Sequence, residues 1–359
     1  MKKSINTYII LLLCTSINIT VAAQKIPVEG NLFGRPFSTS VDHELAKTML
    51  TNPNDSSVLQ LFSEFDANEL NTETLSKIVQ KYSFDVSALF FVKKIYGLEK
   101  NRLIQDDYLA VIDTISLENA APALSFLQNY FIAFVPGFRY KHINNGGDFI
   151  QQRLLLESAG IAHELIAIEE TGLVDVNAHI IADRLQKLNS LHRNIIVISV
   201  SKGGLETAIA LGKLAAPENI SSVKAWINVG GILKGTPVAD RWARPFMRFW
   251  IACGLFWKGI KVNLGGLLTD MSYKNGVERY GTLKIPPEIY TVNLTSVPLG
   301  QQDKSATFTS PNDRFSPLAD AITEDGTVVI EMGLDHYFSE IDLNVRMTAL
   351  LHYIVKQLN

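Results

Sequence analysis

The chain has 359 residues, of which 47% are hydrophobic and 19% are charged, and its formal net charge at pH 7 is -3. These proportions are those of a globular protein with enough apolar residues to bury a large core. Because the charge is nearly balanced, nothing in the composition suggests nucleic acid or another polyanion as a partner.

The first 23 residues differ in composition from the rest of the chain. Lys2 and Lys3 precede an apolar run at 8–13, and small residues lead up to Ala23. This order is typical of a secretory signal peptide, so we expect an exported protein, periplasmic or secreted. The apolar run is shorter than a membrane-spanning helix requires. Cleavage after Ala23 leaves Cys253 as the only cysteine, which excludes a disulfide within the mature chain.

Residues 24–128 contain no chemical motif. Glycine and proline interrupt 24–37, which we expect to be an extended lead-in, and apolar residues then recur at helical spacing from about Ser38 to about Ser125. The pattern predicts a mainly helical N-terminal region that covers the following domain or forms one wall of its substrate cleft. A separate binding module is the alternative.

From residue 129 onward, short apolar runs alternate with helical segments. Strands are expected at 131–135, 163–168, 194–200, 225–229, 289–294 and 327–332, and an amphipathic closing helix at 343–358. Parallel strands need helical crossover connections, so this alternation predicts a mainly parallel α/β sheet with helices on both faces over 129–359.

The clearest chemical motif follows the expected strand at 194–200. The apolar run stops at Ser201, Gly203 follows, and helical spacing begins again at Leu205. A serine flanked by small residues, on a sharp turn from a buried strand into a helix, is a nucleophile elbow. Ser199 stands where such elbows usually have glycine. The pattern predicts Ser201 as a nucleophile; a helix-capping serine is the alternative.

A serine nucleophile needs a general base that is itself oriented by an acid. Among the seven histidines, His336 follows the last expected strand, which brings it to the same sheet edge as Ser201. His336 is therefore the predicted base. The acid is expected in the loop after the strand at 289–294, where Asp313 is favoured and Asp303 is the runner-up.

Acyl transfer also needs N–H donors for the oxyanion of the tetrahedral intermediate. One expected donor is the backbone N–H of Lys202, the residue after the nucleophile. The turn that follows the strand at 131–135 supplies the second, which is predicted to be the Phe138 N–H. The Lys202 side chain is unusual beside a nucleophile, and the simplest interpretation pairs it with Glu206 at four-residue helical spacing.

A segment longer than a crossover requires lies at 234–288. It contains three of the four tryptophans and several phenylalanines. We predict a lid-like insertion whose apolar side lines an acyl pocket. Peripheral membrane contact through 241–258, where arginines stand beside the aromatic residues, is one alternative, and simple packing onto the core is the other.

Together these segments resemble the α/β-hydrolase superfamily, in particular its lipase- and esterase-like members, over 129–359. The resemblance rests on the turn VPGF at 135–138, the elbow SVSKGG at 199–204, the turn GTP at 235–237, the acid loop ND at 312–313 and the histidine loop GLDH at 333–336. It implies a serine hydrolase that cleaves a small-molecule or lipid-like ester through an acyl-enzyme, with no metal or cofactor. A thioesterase or amidase with the same triad, and a non-catalytic binding protein with this fold, are the alternatives.

Overall fold

The computed structural model describes residues 25–66, 68–115, 120–141, 147–257, 262–302, 304–305, 307–338 and 342–359. The expected signal peptide and Asp303 therefore lie outside the described residues. Within these ranges, no helix combines the length and the apolar character needed to cross a membrane.

The N-terminal region begins with a β-hairpin. Strand β1 (Ile26–Leu32) pairs antiparallel with strand β2 (Arg35–Val41). The turn residues Phe33 and Gly34 both have positive φ angles, 53° and 72°. The backbone twist of such a two-residue turn matches the twist of the two strands that it connects. The prediction that helix begins near Ser38 is wrong, because this residue lies in β2 and pairs with β1.

Six helices of the described residues complete this region. They are α1 (Glu44–Thr51), α2 (Ser56–Phe65), α3 (Thr72–Lys81), α4 (Phe84–Gly97), α5 (Glu99–Thr114) and α6 (Ala120–Ala123). The first four surround an apolar core that also contains Val297, Val328 and Ile330 from the main sheet. The helical region and the sheet are thus joined by one shared core.

The main sheet has six strands in the order β4-β3-β5-β6-β7-β8, and every neighbouring pair is parallel. The strands are β3 (Phe131–Val135), β4 (His163–Leu165), β5 (Ile195–Val200), β6 (Val223–Val229), β7 (Tyr290–Val297) and β8 (Thr327–Met332). The predicted fold class, a mainly parallel α/β sheet, is confirmed.

Helices cover both faces of this sheet. Helices α7 (Ile150–Ser158) and α14 (Leu343–Leu358) pack with α5 on one face, and α8 (Val174–Asn189) and α9 (Lys202–Ile209) pack on the other. Successive side chains of a strand point to opposite faces, so Ile196 and Ile198 join the first core while Ile195 and Val197 join the second. Burial on both faces explains the continuous apolar run of β5.

Helix α5 also covers the β8 edge of the sheet. The Val328 N–H donates to Asn101 Oδ1 at 2.8 Å, and the Ile330 N–H donates to Gln105 Oε1 at 2.8 Å. The Gln105 amide returns a hydrogen bond to the Ile330 carbonyl at 3.2 Å. The free N–H and C=O groups of an open strand edge are a template for pairing with another chain. The Asn101 and Gln105 side chains form hydrogen bonds with such groups of β8 within the molecule.

Four helices of the part of the chain that the structure describes lie between β6 and β7, within the segment predicted to be an insertion. They are α10 (Pro237–Trp242), α11 (Pro245–Trp257), α12 (Leu264–Asp270) and α13 (Tyr273–Tyr280). They follow the carboxyl end of β6, and loops from β3, β5, β7 and β8 leave the sheet at the same edge because all the strands are parallel.

Candidate active site

Ser201 occupies a sharp turn between β5 and α9. Its backbone has φ 55° and ψ -122°, a strained conformation for a residue with a side chain. The next turn of the chain is tightly confined. A Cβ at Gly203 would overlap the Pro136 carbonyl oxygen, and one at Gly204 would lie 2.5 Å from Asn228 Oδ1. The two glycines therefore allow α9 to approach the sheet closely enough for the elbow to form.

Ser199, which replaces the usual first glycine of the elbow, is fully buried. Its hydroxyl accepts a hydrogen bond from the indole N–H of Trp226 at 2.8 Å. The departure from the common motif therefore leaves no unsatisfied hydroxyl, and the small side chain is compatible with the tight turn.

Ser201, His336 and Asp313 form a continuous hydrogen-bonded chain. Ser201 Oγ lies 2.9 Å from His336 Nε2, and His336 Nδ1 lies 2.7 Å from Asp313 Oδ2. The tautomer with hydrogen on Nδ1 satisfies both contacts, since Nε2 is then free to accept the serine proton. The imidazole and the carboxylate are buried, and the Phe315 ring stacks on the imidazole at 4.6 Å between centroids.

The second oxygen of Asp313 is held by its own loop. Asp313 Oδ1 accepts backbone hydrogen bonds from Phe315 at 2.8 Å and Ser316 at 2.6 Å. These two donors fix the carboxylate plane and leave Oδ2 facing His336. Asp313, the favoured acid of the sequence analysis, thus contacts the imidazole, while the runner-up Asp303 lies outside the described residues.

Two other aspartates near this loop, Asp320 and Asp335, have different partners. Asp320 accepts from Lys234 at 2.8 Å and from Tyr273 and Thr72 at 2.5 Å each, so it joins the insertion to helix α3. Asp335, adjacent to the histidine, pairs with Arg314 at 3.2 Å. The contact of Asp320 with Thr72 could not be expected from the sequence, because the two residues are 248 positions apart along the chain.

The N-terminal region anchors the loop that carries Asp313. Buried Asp85 on α4 accepts from the Gly300 N–H at 2.8 Å and from the Gln302 amide at 3.3 Å. Gln302 Oε1 in turn accepts from the Asn312 N–H at 2.9 Å. Burial and, second, the charge of Asp42 raise the pKa of Asp85 to about 6. The sequence contained no signal for this connection.

The two predicted oxyanion donors lie beside Ser201. Lys202 begins α9, and the turn that contains Phe138 approaches so closely that a Cβ on Gly137 would lie 3.6 Å from Ser201 Cβ. Within the described part of the chain, no group accepts a hydrogen bond from the backbone N–H of Lys202 or Phe138.

The Lys202 side chain points away from solvent into a buried ion pair. Its ammonium group donates to Glu206 Oε1, four residues along α9, and both side chains are almost completely inaccessible. Asn177 on α8 donates to the same carboxylate oxygen at 2.8 Å. Burial raises the pKa of Glu206 to about 7, although the charge of Lys202 opposes the shift.

A mostly apolar cavity of about 490 Å³ opens onto Ser201 and His336. No aspartate or glutamate is among the described residues that line it. The insertion contributes a large share of the wall through Trp242, Met247, Trp250, Ile251, Leu255, Leu264, Leu267, Leu268 and Met271. The insertion residues therefore form a large part of the wall of the cavity that opens onto Ser201 and His336.

Helix α11 also has an apolar face that is exposed. The relative exposure is 70% for Phe246, 60% for Phe249 and 85% for Trp257. Arg248 on the same helix and Arg244, which directly precedes the helix, are exposed as well. The helix thus lies between the cavity and the outside, with apolar side chains on both sides.

No protein-family model matches the sequence, and no curated protein matches it significantly. Solved structures do match. A metagenomic carboxyl esterase is 17% identical with a TM-score of 0.50, over 64% of this chain and 76% of its own. The mature lipase BlEst2 of Bacillus licheniformis is 16% identical with a TM-score of 0.47, over 63% and 92%. An alpha/beta hydrolase fold protein from Burkholderia ambifaria is 11% identical with a TM-score of 0.39, over 62% and 90%.

The sheet order, the strained serine turn and the structural match to the metagenomic esterase together define the α/β-hydrolase fold. The resemblance inferred from the elbow and the histidine loop is confirmed at the level of fold. Since a fold hosts many activities, the function has to be argued from the site.

Proposed function

We propose that the protein is a serine hydrolase of carboxylic esters. The observation that carries the proposal is the hydrogen-bonded chain from Ser201 through His336 to Asp313, which opens on an apolar cavity. A serine beside a base that is itself held by a buried carboxylate is the arrangement that activates a hydroxyl for acyl transfer.

In the proposed reaction, Ser201 Oγ bonds to the ester carbonyl carbon while His336 Nε2 takes the serine proton. The carbonyl oxygen becomes an oxyanion that accepts from the Lys202 and Phe138 N–H groups. The intermediate then expels the alcohol, which receives the proton from Nε2, and leaves an acyl-serine. Water attacks this acyl group with the same proton movements, releasing the carboxylic acid and free Ser201. Asp313 orients His336 and stabilises the imidazolium.

The cavity supports an ester with an apolar acyl group as the substrate. Its lining is mostly aliphatic and aromatic, and the described lining residues include no carboxylate that could pair with a cationic substrate group. Burial of each additional CH₂ contributes about 0.8 kcal/mol, so kcat/KM is expected to rise with acyl length until the cavity is filled. A series of p-nitrophenyl esters, matched thioesters and matched anilides separates ester, thioester and amide hydrolysis.

The direct test of the proposed activity is the Ser201→Ala variant assayed on a p-nitrophenyl ester. Because the triad residues act as a unit, we expect kcat to fall by about 10⁴-fold or more while the fold is retained. A folded Ser201→Ala protein that keeps near-normal activity contradicts the proposal and favours a hydrolase-fold binding protein.

We also propose that the segment 1–23 directs export of the protein. Its basic start, apolar run and small residues before the end support this location. Expression of the full chain followed by intact-mass measurement of the periplasmic and secreted fractions is the test. A mature species that begins at Gln24 is expected, and a product that retains Met1 in the cytoplasm contradicts export.

We further propose that residues 241–258 make peripheral contact with a lipid surface. The exposed side chains of Phe246, Phe249 and Trp257 favour the apolar side of a membrane interface, and the exposed arginines favour anionic headgroups. Because the opposite side of α11 lines the cavity, such contact would bring lipid-like esters next to Ser201.

A further inference from the structure

A buried polar network begins directly behind the nucleophile and runs away from the cavity. Lys202, Glu206 and Asn177 are at most 1% exposed. The Lys202 ammonium and the Asn177 amide both donate to Glu206 Oε1. Glu206 Oε2 is also buried and has no hydrogen-bond partner among the described residues.

A contribution to folding stability does not explain why the chain keeps this buried network. Removing two charges from water is unfavourable, and replacing a buried ion pair by apolar side chains is often neutral or stabilising. An unsatisfied buried carboxylate oxygen such as Glu206 Oε2 adds a further desolvation penalty. What a buried, hydrogen-bonded ion pair does provide is a fixed geometry.

The network continues from Asn177 to the second half of the proposed oxyanion site. Asn177 accepts from the Glu169 N–H at 3.0 Å and donates to the Glu169 carbonyl at 2.9 Å. The next residue, Glu170, accepts from the Arg139 N–H at 3.1 Å through its carbonyl. Arg139 directly follows Phe138, the second expected oxyanion donor.

Hydrogen bonds and a short piece of backbone therefore connect the two residues, Lys202 and Phe138, that carry the expected N–H donors. This connection begins at the side chain of Lys202, passes through Glu206 and Asn177, and reaches the turn of Phe138 through the backbone of 169–170. Helix α9 and the 136–140 turn belong to separate segments, so their relative position depends on contacts of this kind.

We infer that Glu206 and Asn177 are positioning residues that set the separation of the Lys202 and Phe138 N–H groups around the oxyanion. The inference rests on the proposed ester hydrolysis. Neither side chain touches the substrate; both act through the backbone donors, whose stabilisation differs between the ground state and the tetrahedral state.

The expected signature is a loss in kcat with little change in KM. Removal of a complete oxyanion donor costs about 10²- to 10³-fold in kcat, so displacement of the donors by a broken network should cost about 10- to 100-fold. We expect this loss for Glu206→Gln and for Asn177→Ala, with KM within about 3-fold of the wild-type value.

The decisive variant is the double substitution Lys202→Met with Glu206→Leu. It replaces the ion pair with apolar side chains of similar size and keeps the Lys202 backbone N–H, so the melting temperature should stay close to that of the wild type or rise. The positioning role nevertheless predicts a kcat about 10- to 100-fold lower. A merely structural role predicts that kcat is retained wherever the fold is retained.

Glu73→Gln is the matched control, because Glu73 and Lys77 form an exposed ion pair with the same four-residue spacing on α3, at 2.7 Å. Its kcat should equal that of the wild type.

Assays use the full mature protein and a p-nitrophenyl ester, with fluorophosphonate labelling of Ser201 as the check on the proposed function. If the wild type is labelled and active and the folded double variant keeps its kcat within about 2-fold, the positioning role is overturned while the hydrolase assignment stands. If the wild type is neither labelled nor active, the proposed function fails and this inference fails with it.

Discussion

Two hydrogen bonds connect Asp313 and His336, one between their side chains and one between their backbones. The carboxylate accepts from the imidazole at 2.7 Å, and the His336 backbone N–H donates to the Asp313 carbonyl at 3.0 Å. The backbone contact brings the acid loop and the histidine loop together independently of the side chains. The side-chain hydrogen bond then orients a ring whose loop is already in place.

This double attachment predicts that Asp313→Asn retains the fold and loses the activity. An asparagine cannot hold the imidazole tautomer that accepts the serine proton, so kcat should fall by about 10⁴-fold. Steady-state kinetics on a p-nitrophenyl ester provide the measurement. Asp335→Asn, next to the histidine, and Asp303→Asn, the runner-up acid, are the controls. A larger loss in either control than in Asp313→Asn would reassign the acid.

The tight turn after the nucleophile predicts a large difference between two glycine substitutions. Gly203→Ala forces a Cβ into the Pro136 carbonyl and should destabilise the fold by about 1 to 3 kcal/mol, with loss of activity. Gly254→Ala lies in α11 where a Cβ meets no atom within 4 Å, so helix propensity should stabilise that variant by up to about 1 kcal/mol. Chemical denaturation measures both, and equal effects would contradict the described packing.

The connection from the N-terminal region to the acid loop predicts a role for Gln302. Gln302→Ala removes the hydrogen bonds that Gln302 makes to the Asn312 N–H and to Asp85, which loosens the loop next to Asp313, so kcat should fall by about 10-fold. Gln301→Ala is the matched control, because the side chain of this neighbouring residue is exposed and its hydrogen bond among the described residues is to Arg314. The comparison is made by kcat at equal folded concentration, and equal values for the two variants would refute the role.

Burial of Glu206 predicts a specific pH dependence of stability. Its pKa is raised to about 7 from the usual 4.5, so the folded chain retains a proton that the unfolded chain releases. This contribution is complete below about pH 4.5 and is lost as the pH rises to about 7. The free energy of unfolding of the wild type should therefore decline more steeply over this range than that of Glu206→Gln. Denaturant titrations measure the two slopes, and parallel slopes would contradict the prediction.

The exposed face of α11 predicts binding to anionic vesicles. The double variant Phe246→Ser with Trp257→Ser should bind phosphatidylglycerol vesicles about 10-fold more weakly or worse, since it removes two large apolar side chains from the interface. Its hydrolysis of a soluble short-chain ester should not change. Leu59→Ser, at a position 56% exposed on α2, is the control for loss of any surface apolar group. Vesicle co-sedimentation is the measurement, and unchanged binding of the double variant would exclude this surface.

The sequence predicted the elements that are buried on both faces best. Strands β3 and β8 and helix α14 have the limits expected from their apolar runs. Strand β4 is shorter than expected and ends at Leu165, since apolar character continues past the last paired residue. The hairpin of β1 and β2 was missed because its turn is Phe-Gly, which lacks the asparagine or aspartate that usually marks such turns.

In the candidate site, too, some residues could be predicted from the sequence and others could not. Ser201, His336 and Asp313 were predicted because chain order and strand ends place them at one edge of a parallel sheet. The partners of Asp85 and Asp320 were not, since Asp85 lies 217 positions from Gln302 and Thr72 lies 248 positions from Asp320. Contacts at that separation depend on how the helical region packs, which local patterns do not encode.

The most direct test of the central claim is covalent labelling by a fluorophosphonate. The reagent phosphonylates only an activated serine, so intact-mass analysis should show a single adduct on the wild type, and peptide mapping should place it on Ser201. The Ser201→Ala protein should remain unlabelled. The absence of an adduct on folded wild-type protein, or an adduct that persists in Ser201→Ala, would contradict the assignment of Ser201 as the nucleophile.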